Sequence, residues 1–508
     1  MMLGKVTRTL VQSPGRLGAV RYKASLGIAR EVGPESRLKT IDDLAGPSQL
    51  ESLYWVFLRG YLFHIQELQA RQKKKYGPIW KATIGHYQMV NIACPEILET
   101  LLKQEGKYPM RADMLLWKEH RDLRGHSYGP LTEQGHRWQK LRSVLNSKML
   151  KPTDAVCYTD SLNQVIPDLL NRIREMRTES PSGFVVQNVA STMHKFAFES
   201  ICTILFETRL GCLDRQIPEG THKFIKALIV MLENEIVVEK LPKWSATWLP
   251  FRGRFIESFD TIFTYGIKLI DMKLEDIEGR LQRGDDQGGA YLTYLLTSGN
   301  LDLKDVYGVM PELLLAGVDT TSNTLTWALY LLAKHPEIQL SLYEEVVKVI
   351  PGKKVPSSED LSKMPLLKAV IKETLRLYPV VPINARVIVD KEVVLGGYTF
   401  PKNTLFVLCH YVMSRDETNF PEPDRFLPQR WLRSLGIKHH PFSSIPFGFG
   451  VRGCLGRRVA ELEMHLSLSQ LIKAFQVIPD PEMGEVGTKN RTILVSDKPI
   501  NLQFIDRQ

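Results

Sequence analysis

The sequence predicts a mainly α-helical protein with a minor β portion, folded as one large domain. Residues 130 to 350 place their apolar side chains mostly at helical spacing. Short runs typical of β-strands lie in residues 79–93 and 386–401, on either side of that helical part. No Ser/Gly/Pro-rich linker, low-complexity tract or internal repeat divides the 508 residues. We therefore expect a single folded unit with enough chain for an extensive core.

The first thirty residues differ in composition from the rest of the chain. They hold six Lys and Arg residues, several Ser and Thr residues, and no acidic residue before Glu31. This composition is typical of a mitochondrial transit peptide, and a disordered basic tail is the alternative. An anchor for the endoplasmic reticulum would need an apolar run of about 20 residues, which does not occur here. We assign residues 1–35 to a transit peptide and residues 36–508 to the folded domain.

Charge and cysteine content restrict the class of protein. The net charge of +10 is explained by the basic leader and a solvated surface, and no clustered basic-aromatic patch indicates nucleic-acid binding. The six cysteines lie far apart and show no paired spacing. Such usage favours a reducing compartment over a disulfide scaffold.

The two β-rich regions carry turn signals. Residues 79–85 and 89–93 predict a hairpin, and a helix is expected to begin at Pro95. In the second region, Gly396 and Gly397 supply the turn between two further short strands.

Two helices are also marked clearly in the sequence. The longest apolar stretch, residues 306–333, contains Pro311 and Asp319, which favours a buried central helix over a membrane span. Another helix is expected between Pro365, which suits a first turn, and Pro379, which cannot continue a helix.

Residues 447–456 form the most informative segment of the chain. A glycine-rich turn leads to Cys454, and a helical pattern follows it. A lone cysteine in an intracellular protein is usually a small buried hydrophobic residue. Here the glycines allow the backbone to approach a flat ligand, and the start of a helix favours a thiolate. A thiolate is the form of cysteine that ligates haem iron.

This segment resembles the haem-binding signature of the cytochrome P450 family. The resemblance extends over about residues 40 to 508. It implies a single cytochrome P450 fold, in which a triangular helical bundle with small β-sheets surrounds haem b. It also implies a monooxygenase in which Cys454 is the metal ligand and Phe447 and Arg452 contact the cofactor.

Residues 316–321 place Asp319 beside Thr320 in an apolar helix, behind two small residues. A threonine bonded to the carbonyl four residues earlier is the structural alternative. Together with the cysteine segment, the run resembles the family's oxygen-activation motif. The resemblance assigns Thr320 to hydrogen bonding with bound dioxygen and Asp319 to relaying protons. The chemistry needs such groups, because two protons must reach the distal oxygen in a pocket without bulk water.

Glu373 and Arg376 share one face of the helix after Pro365. An exposed ion pair of this kind would contribute little, which is the alternative interpretation. The run at residues 426–431 supplies Arg430 in the pattern Phe-x-Pro-x-Arg-aromatic. Both motifs resemble those of the family, and the resemblance implies that the three side chains form a buried triad that holds the cysteine loop.

Trp138 and Arg142 lie one helical turn apart. A core tryptophan beside an arginine that extends to solvent would give the same spacing. The resemblance implies that both residues contact a haem propionate, as would Arg386 and Arg452.

Basic residues occur in pairs on two predicted helices. Lys368 and Lys372 stand at i,i+4, where like charges repel, and Arg457 and Arg458 occupy the unfavourable end of a helix dipole. A solvated basic face is one interpretation. The resemblance to mitochondrial members implies the other: a docking surface for a [2Fe-2S] ferredoxin, which an NADPH-dependent flavoprotein reduces.

Shorter runs at residues 105–109, 117–122, 375–382 and 502–504 resemble a mitochondrial group of the family. That group contains sterol 27-hydroxylases, vitamin D hydroxylases and a retinoid desaturase. The resemblance implies side-chain hydroxylation of a sterol, at carbon 27 of cholesterol or of bile-acid intermediates. A vitamin D hydroxylase or a retinoid-oxidising enzyme is the alternative within the group. An isomerase or dehydratase that needs no electrons, a haem sensor and a sterol carrier are alternatives of other classes.

The resemblance also implies a location at the matrix side of the inner mitochondrial membrane. The mostly apolar runs 236–238, 241–244 and 248–251 form a predicted loop region with Trp244 and Trp248, which indicates either a satellite core cluster or a peripheral membrane contact. The substrate pocket is expected to include residues within 108–128, 224–236, 316–321, 380–383 and 492–494.

Overall fold

The computed structural model describes residues 39–507, except for residues 85–86, 241–247 and 284–290. Two sequence predictions, the transit peptide at 1–35 and the apolar run at 241–244, therefore lie outside the described residues.

The described residues are mainly α-helical, as predicted. The α-helices are α1 Gln49–Leu53, α2 Ile65–Tyr76, α3 Pro95–Lys103, α4 Leu115–Arg124, α5 Gly135–Met149, α6 Pro152–Val156, α7 Thr159–Thr178, α8 Val189–Phe206, α9 Glu219–Lys240, α10 Phe251–Gln282, α11 Tyr291–Thr297, α12 Leu303–Lys334, α13 Pro336–Val349, α14 Ser358–Ser362, α15 Pro365–Leu377, α16 His410–Ser414 and α17 Arg457–Ala474. The strands are β1 Lys39–Thr40, β2 Ile79–Ile84, β3 Tyr87–Ile92, β4 Val185–Val186, β5 Asn384–Val387, β6 Val393–Leu395, β7 Tyr398–Phe400, β8 Leu405–Leu408, β9 Phe475–Pro479, β10 Thr488–Arg491, β11 Ile493–Ser496 and β12 Leu502–Asp506.

The strands form small sheets at the edge of the helical part. The predicted hairpin is confirmed: β2 pairs antiparallel with β3, and Ile79 lies opposite Ile92. β3 continues into a four-stranded sheet of order β2-β3-β8-β5. The other sheets have the orders β1-β7-β6, β4-β12-β9 and β10-β11. The expected turn at Gly396 and Gly397 joins the antiparallel strands β6 and β7.

Helix α12 is the centre of the molecule. Most of its side chains are buried, because α8, α10, α15 and α17 pack around it. The helix approaches α8 closely at Gly317, where a Cβ atom would lie 2.9 Å from Cγ1 of Ile201. The sequence prediction of a buried central helix is therefore confirmed. Within the described residues, no helix has the length and apolar character needed to cross a membrane.

Two details of the sequence analysis need correction. The helix after the cysteine begins at Arg457, not directly at Cys454, because residues 454–456 belong to the turn that precedes it. Residues 236–238, which were expected to belong to an apolar loop, form part of α9. The six cysteines are all free, in agreement with the composition.

Candidate functional site

The Cys454 loop, residues 447–454, closes on itself ahead of α17. The backbone N–H of Cys454 donates a hydrogen bond to the Phe447 carbonyl at 2.8 Å. Gly448 and Gly450 adopt φ angles of 70° and 69°, which glycine tolerates without a Cβ clash. The loop therefore holds Cys454 at a fixed point. The guanidinium carbon of Arg457 lies over the Phe447 ring, 5.4 Å from the centroid of that ring.

The Cys454 side chain is accessible to solvent, yet protein atoms surround the thiol closely. This burial raises the pKa of the Cys454 thiol, while the Gly456 backbone N–H and the nearby cations Arg142 and Arg111 act in the opposite direction. A thiol in this position becomes a thiolate outright when a metal ion coordinates it.

Four arginines converge beside this loop and form the arginine cluster: Arg111, Arg142, Arg386 and Arg452. Arg111 is half-buried and the other three are buried. Burial and mutual repulsion lower the pKa of Arg452 to about 8 and that of Arg111 to about 10. Glu105 accepts a hydrogen bond from Arg386, and its carboxylate offsets part of the positive charge of the cluster. Since guanidinium groups stay protonated in proteins, the cluster keeps an excess of positive charge.

Direct contacts join the arginine cluster to the loop. Arg142 Nη2 donates to the Gly453 carbonyl at 2.6 Å. Arg452 Nε donates to the Pro109 carbonyl at 2.8 Å, and its guanidinium carbon lies 3.7 Å from the ring centroid of Trp138. The structure thus brings together the residues that the sequence assigned to cofactor binding.

These features fit haem b, a flat cofactor with two carboxylates. Cys454 can ligate the iron, and the excess positive charge of the arginine cluster can be balanced by the two propionates. Nε of Arg111 is a buried donor without a partner among the described residues, and it is available to such an anion. Arg111 was missed in the sequence, where no motif distinguishes it from other arginines.

A buried carboxylate, Glu373, organises the segment at residues 427–431. Its Oε1 accepts from Arg376 Nη2 at 2.8 Å, from Arg430 Nε at 3.0 Å and from the Leu427 backbone N–H at 3.0 Å. Its Oε2 accepts from Arg376 Nε at 2.9 Å and from Trp431 Nε1 at 2.8 Å. Glu373 and Arg376 are fully buried, so the three predicted side chains form a satisfied internal network instead of an exposed pair.

The predicted catalytic pair lies at the middle of α12. Thr320 is half-buried, and its hydroxyl donates to the Ala316 carbonyl at 2.8 Å. This is the backbone-bonded alternative that the sequence left open, and it is the resting arrangement of the side chain. Asp319 is fully buried and directs its carboxylate away from this hydroxyl into a network of its own.

Two residues that the sequence did not single out hold Asp319. Arg491 Nη2 donates to Asp319 Oδ1 at 2.9 Å, and His194 Nε2 lies 2.6 Å from the same oxygen. Asn323 Nδ2 completes the set at 3.1 Å. These charged and polar groups lower the pKa of Asp319 against the opposing effect of burial.

A third buried carboxyl group joins three elements around the expected substrate pocket. Glu235 of α9 accepts from Trp117 Nε1 of α4 at 2.5 Å and from Thr492 Oγ1, between β10 and β11, at 2.9 Å. Burial, together with the nearby Glu239, raises the pKa of Glu235 to about 8. Trp117, Glu235 and Thr492 lie in segments that the sequence assigns to the pocket, but no sequence pattern predicts their contact.

The basic pairs lie on neighbouring helices. Lys372 is exposed and Lys368 half-buried on α15, and both add to the effect of burial that lowers the pKa of His465 on α17 to about 4. Arg457 and Arg458 are paired with Glu461 at 3.0 and 3.3 Å. The pairing offsets the unfavourable helix-end position of the arginines.

Comparisons with known proteins agree in family and length. The cytochrome P450 family profile matches residues 47–504. The chain is 52% identical over 480 residues to the mitochondrial sterol 26-hydroxylase of Rattus norvegicus. This alignment covers 93% of this chain and 90% of the relative. The corresponding protein of Homo sapiens is 50% identical over 483 residues, with coverage of 94% and 91%. The mitochondrial 25-hydroxyvitamin D-1 alpha hydroxylase of Homo sapiens is 42% identical over 516 residues, with coverage of 99% and 100%.

A solved structure shares the fold. The crystal structure of the cytochrome P450DA heme domain matches with a TM-score of 0.76 at 21% identity, over 93% of this chain and 98% of that chain.

The Glu235→Gln variant tests the buried carboxyl group. The pKa of Glu235 in the folded protein is about 8, against an ordinary value of 4.5, so folding favours the protonated form. The stability that protonated Glu235 contributes to the folded protein is fully present below the ordinary pKa of 4.5, and it is lost as pH rises towards the folded pKa of about 8. The unfolding free energy of the variant relative to the wild type should therefore increase by about 2–4 kcal/mol from pH 5 to pH 8.

Urea unfolding at several pH values measures this difference. Glu233→Gln is the matched control, because Glu233 lies on the same helix but is paired with Lys489 at 3.0 Å at the surface. Stability curves for Glu235→Gln and the wild type that run parallel across this pH range would contradict the assignment.

Proposed function

The chain belongs to the cytochrome P450 family, and we propose that it is a mitochondrial haem-thiolate monooxygenase that hydroxylates a terminal carbon of a sterol side chain. The observation that carries this proposal is the convergence of the arginine cluster on the Cys454 loop, with Arg142 bonded to the Gly453 carbonyl. The high identity to two mitochondrial sterol 26-hydroxylases supports the substrate class. Carbons 26 and 27 are the two terminal methyl groups of such a side chain. The predicted position, carbon 27, is therefore the same kind of carbon as the one in the names of these relatives.

The cofactor would be haem b. Cys454 would hold the iron, Phe447 and Trp138 would flank the site, and the arginine cluster would receive the propionates. When bound, the haem supplies the redox chemistry that places one atom of dioxygen in a C–H bond and releases the other as water, using two electrons and two protons.

The side chains of α12 supply the proton chemistry. The Thr320 hydroxyl would turn from the Ala316 carbonyl towards the cofactor and present its proton there. Asp319 would replace that proton after its carboxyl group turns from Arg491, His194 and Asn323, which hold it at rest. The small side chain of Ala316, one turn before Thr320, would leave space on this face for a flat group and a substrate carbon, whereas Gly317 is filled by the close approach of Ile201 from α8.

Electrons would come from a mitochondrial [2Fe-2S] ferredoxin, reduced by an NADPH-dependent flavoprotein. The surface formed by α15 and the start of α17 supports this, because it collects Lys368, Lys372, Arg457 and Arg458. Glu461 neutralises part of the arginine charge, so the lysines carry most of the attraction for an acidic partner. Lys372 lies 6.0 Å from the Trp431 ring centroid and is held beside the segment at residues 427–431.

The proposed location is the matrix side of the inner mitochondrial membrane, after removal of residues 1–35 as a transit peptide. Exposed apolar side chains support a peripheral membrane contact: Leu50 and Leu58 are each 79% exposed, and Trp248 is 84% exposed. Large apolar side chains at such exposure are typical of surfaces that enter the interfacial region of a bilayer.

Reconstitution with ferredoxin, its reductase and NADPH tests the proposal. Cholesterol and a cholestane triol should each give a product hydroxylated at the end of the side chain, while Cys454→Ser should give none. A product from vitamin D alone would favour the vitamin D alternative, as retinoid oxidation alone would favour the retinoid alternative. An isomerised or dehydrated product formed without NADPH would indicate the electron-independent class. Substrate binding without any turnover would indicate a haem sensor or a sterol carrier.

The Thr320→Ala variant should retain haem and sterol binding but lose coupling. Without the hydroxyl, protons arrive late and reduced oxygen leaves as peroxide, so product per NADPH should fall by about tenfold. Thr320→Ser should keep most of the coupling. Thr324→Ala is the control, because Thr324 makes the same kind of backbone bond one turn later, to the Thr320 carbonyl at 2.8 Å. Unchanged coupling in Thr320→Ala would remove this role.

The double variant Lys368→Gln/Lys372→Gln should weaken ferredoxin-dependent turnover and flatten its dependence on salt. Electrostatic steering is screened as the Debye length falls to about 3 Å at 1 M salt. Turnover across ionic strength measures the effect, and the sterol-binding spectrum should not change. Lys391→Gln/Lys402→Gln removes the same charge from the β-rich region as a control. Superimposable salt curves for the α15 variant and the wild type would exclude these lysines from docking.

A further inference from the structure

His194 of α8 faces two acceptors in the core. Its Nδ1 lies 2.6 Å from the Ala190 carbonyl oxygen, and its Nε2 lies 2.6 Å from Asp319 Oδ1. The side chain is 5% exposed and that of Asp319 is 1% exposed, so bulk water does not intervene. Both contacts are at hydrogen-bond distance.

The two contacts determine how many protons the His194–Asp319 pair carries. A backbone carbonyl can only accept, so Nδ1 of His194 carries a proton and donates it to Ala190. In a neutral imidazole the other nitrogen would then be a bare acceptor. A bare acceptor would face the acceptor oxygen of an ionised Asp319 at 2.6 Å, which is repulsive. A second proton must therefore lie between His194 Nε2 and Asp319 Oδ1.

We propose that His194 and Asp319 form a proton store, in which a doubly protonated His194 holds one proton ready for transfer to Asp319. The inference rests on the proposed function, because it supplies the source of the protons that a monooxygenase consumes. His194 acts through Asp319 and is a positioning residue for proton transfer, whereas Thr320 and Asp319 are the groups assigned to the reaction itself.

The surroundings of the pair place the proton on the imidazole at rest. Arg491 Nη2 and Asn323 Nδ2 both donate to Asp319 Oδ1, and together with His194 they stabilise the ionised carboxylate. These groups lower the pKa of Asp319 despite its burial. In the described part of the chain, Arg491 and His194 are the cationic side chains paired with Asp319.

The remaining carboxyl oxygen does not hinder rotation of the carboxyl group. Asp319 Oδ2 is buried and has no hydrogen-bond partner among the described residues. Transfer of the proton from His194 Nε2 to Asp319 leaves a neutral imidazole and a neutral carboxyl group, so charge is conserved. Rotation of that neutral carboxyl group breaks its bond to Arg491 and can carry the proton towards Thr320. A proton from solvent then restores His194.

Nitrogen NMR of histidine-labelled protein tests the resting state directly. In the reduced carbon monoxide complex at pH 7, one imidazole should carry protons on both nitrogens, and its signal should vanish in His194→Gln. If His194→Gln does not fold, Asp319→Asn serves instead, because His194 should become neutral when its carboxylate partner is removed. A neutral His194 in the wild type would overturn the proposal.

Coupling measurements test the consequence. His194→Gln should keep sterol affinity, lower product per NADPH on the order of tenfold, and steepen the loss of turnover with rising pH. The solvent deuterium isotope effect on turnover should increase, which a purely structural defect would not produce. The matched control is His335→Gln, since His335 also contacts the carbonyl four residues earlier, at 2.8 Å, but is paired with no carboxylate in the described part of the chain.

The outcomes separate the two levels of inference. Wild-type protein that gives no sterol product would contradict the proposed function. Wild-type protein that hydroxylates sterol while His194→Gln matches it in coupling, pH dependence and isotope effect would overturn the proton store alone.

Discussion

A buried excess of positive charge around Cys454 is the constraint on which the rest of the structure depends. The arginine cluster brings four guanidinium groups together and meets them with the carboxylate of Glu105. Guanidinium groups do not release their protons at physiological pH, so this arrangement costs free energy until anions balance it. A cofactor with two carboxylates supplies that balance and binds only to the folded chain, so that loading and folding stabilise each other by mass action. The cluster therefore belongs to the ligand site more than to the core.

The charges around Glu373, unlike those of the arginine cluster, are balanced within the protein. Five donors surround its carboxylate, and the cations Arg376 and Arg430 exceed its charge by one, but the surplus is spread over backbone carbonyls. Arg376 Nη1 donates to the carbonyls of Ser414 and Pro423 at 2.8 and 2.6 Å. Every group in this network finds its partner within the protein, so it needs no ligand. Because removing one member of such a buried network leaves an unpaired charge, the network fixes the chain that leads to the Cys454 loop.

The sequence could predict those parts of the site that are written in short local motifs. The Cys454 loop, the α12 segment and the Glu373–Arg376 pair each lie within one turn or one helix, and local spacing is sufficient to recognise them. The partners of Asp319 have no such signal, because His194 and Arg491 are 125 and 172 residues away in the chain. The same holds for Glu235 and Thr492, which are 257 residues apart. Long-range packing, which no periodicity encodes, decides these contacts. It also gives Lys372 an aromatic partner, where sequence spacing alone indicated only repulsion.

Three buried carboxyl groups show how the environment divides acid–base roles. Asp319 faces Arg491 and His194, and these cations lower its pKa. Glu235 faces neutral donors and a neighbouring acid, and its pKa rises to about 8. Glu463, on α17, has no cation beside it among the residues that the structure describes, and burial raises its pKa well above the ordinary value. Formal charge on the partner, rather than the number of hydrogen bonds, separates these cases. The Glu235 carboxyl group thus keeps its proton through neutral pH, whereas Asp319, next to Thr320 in the chain, is held ionised. Under the proposed function, proton supply would belong to the α8–α12 side of the site, and the side at Glu235 could exclude water without interrupting it.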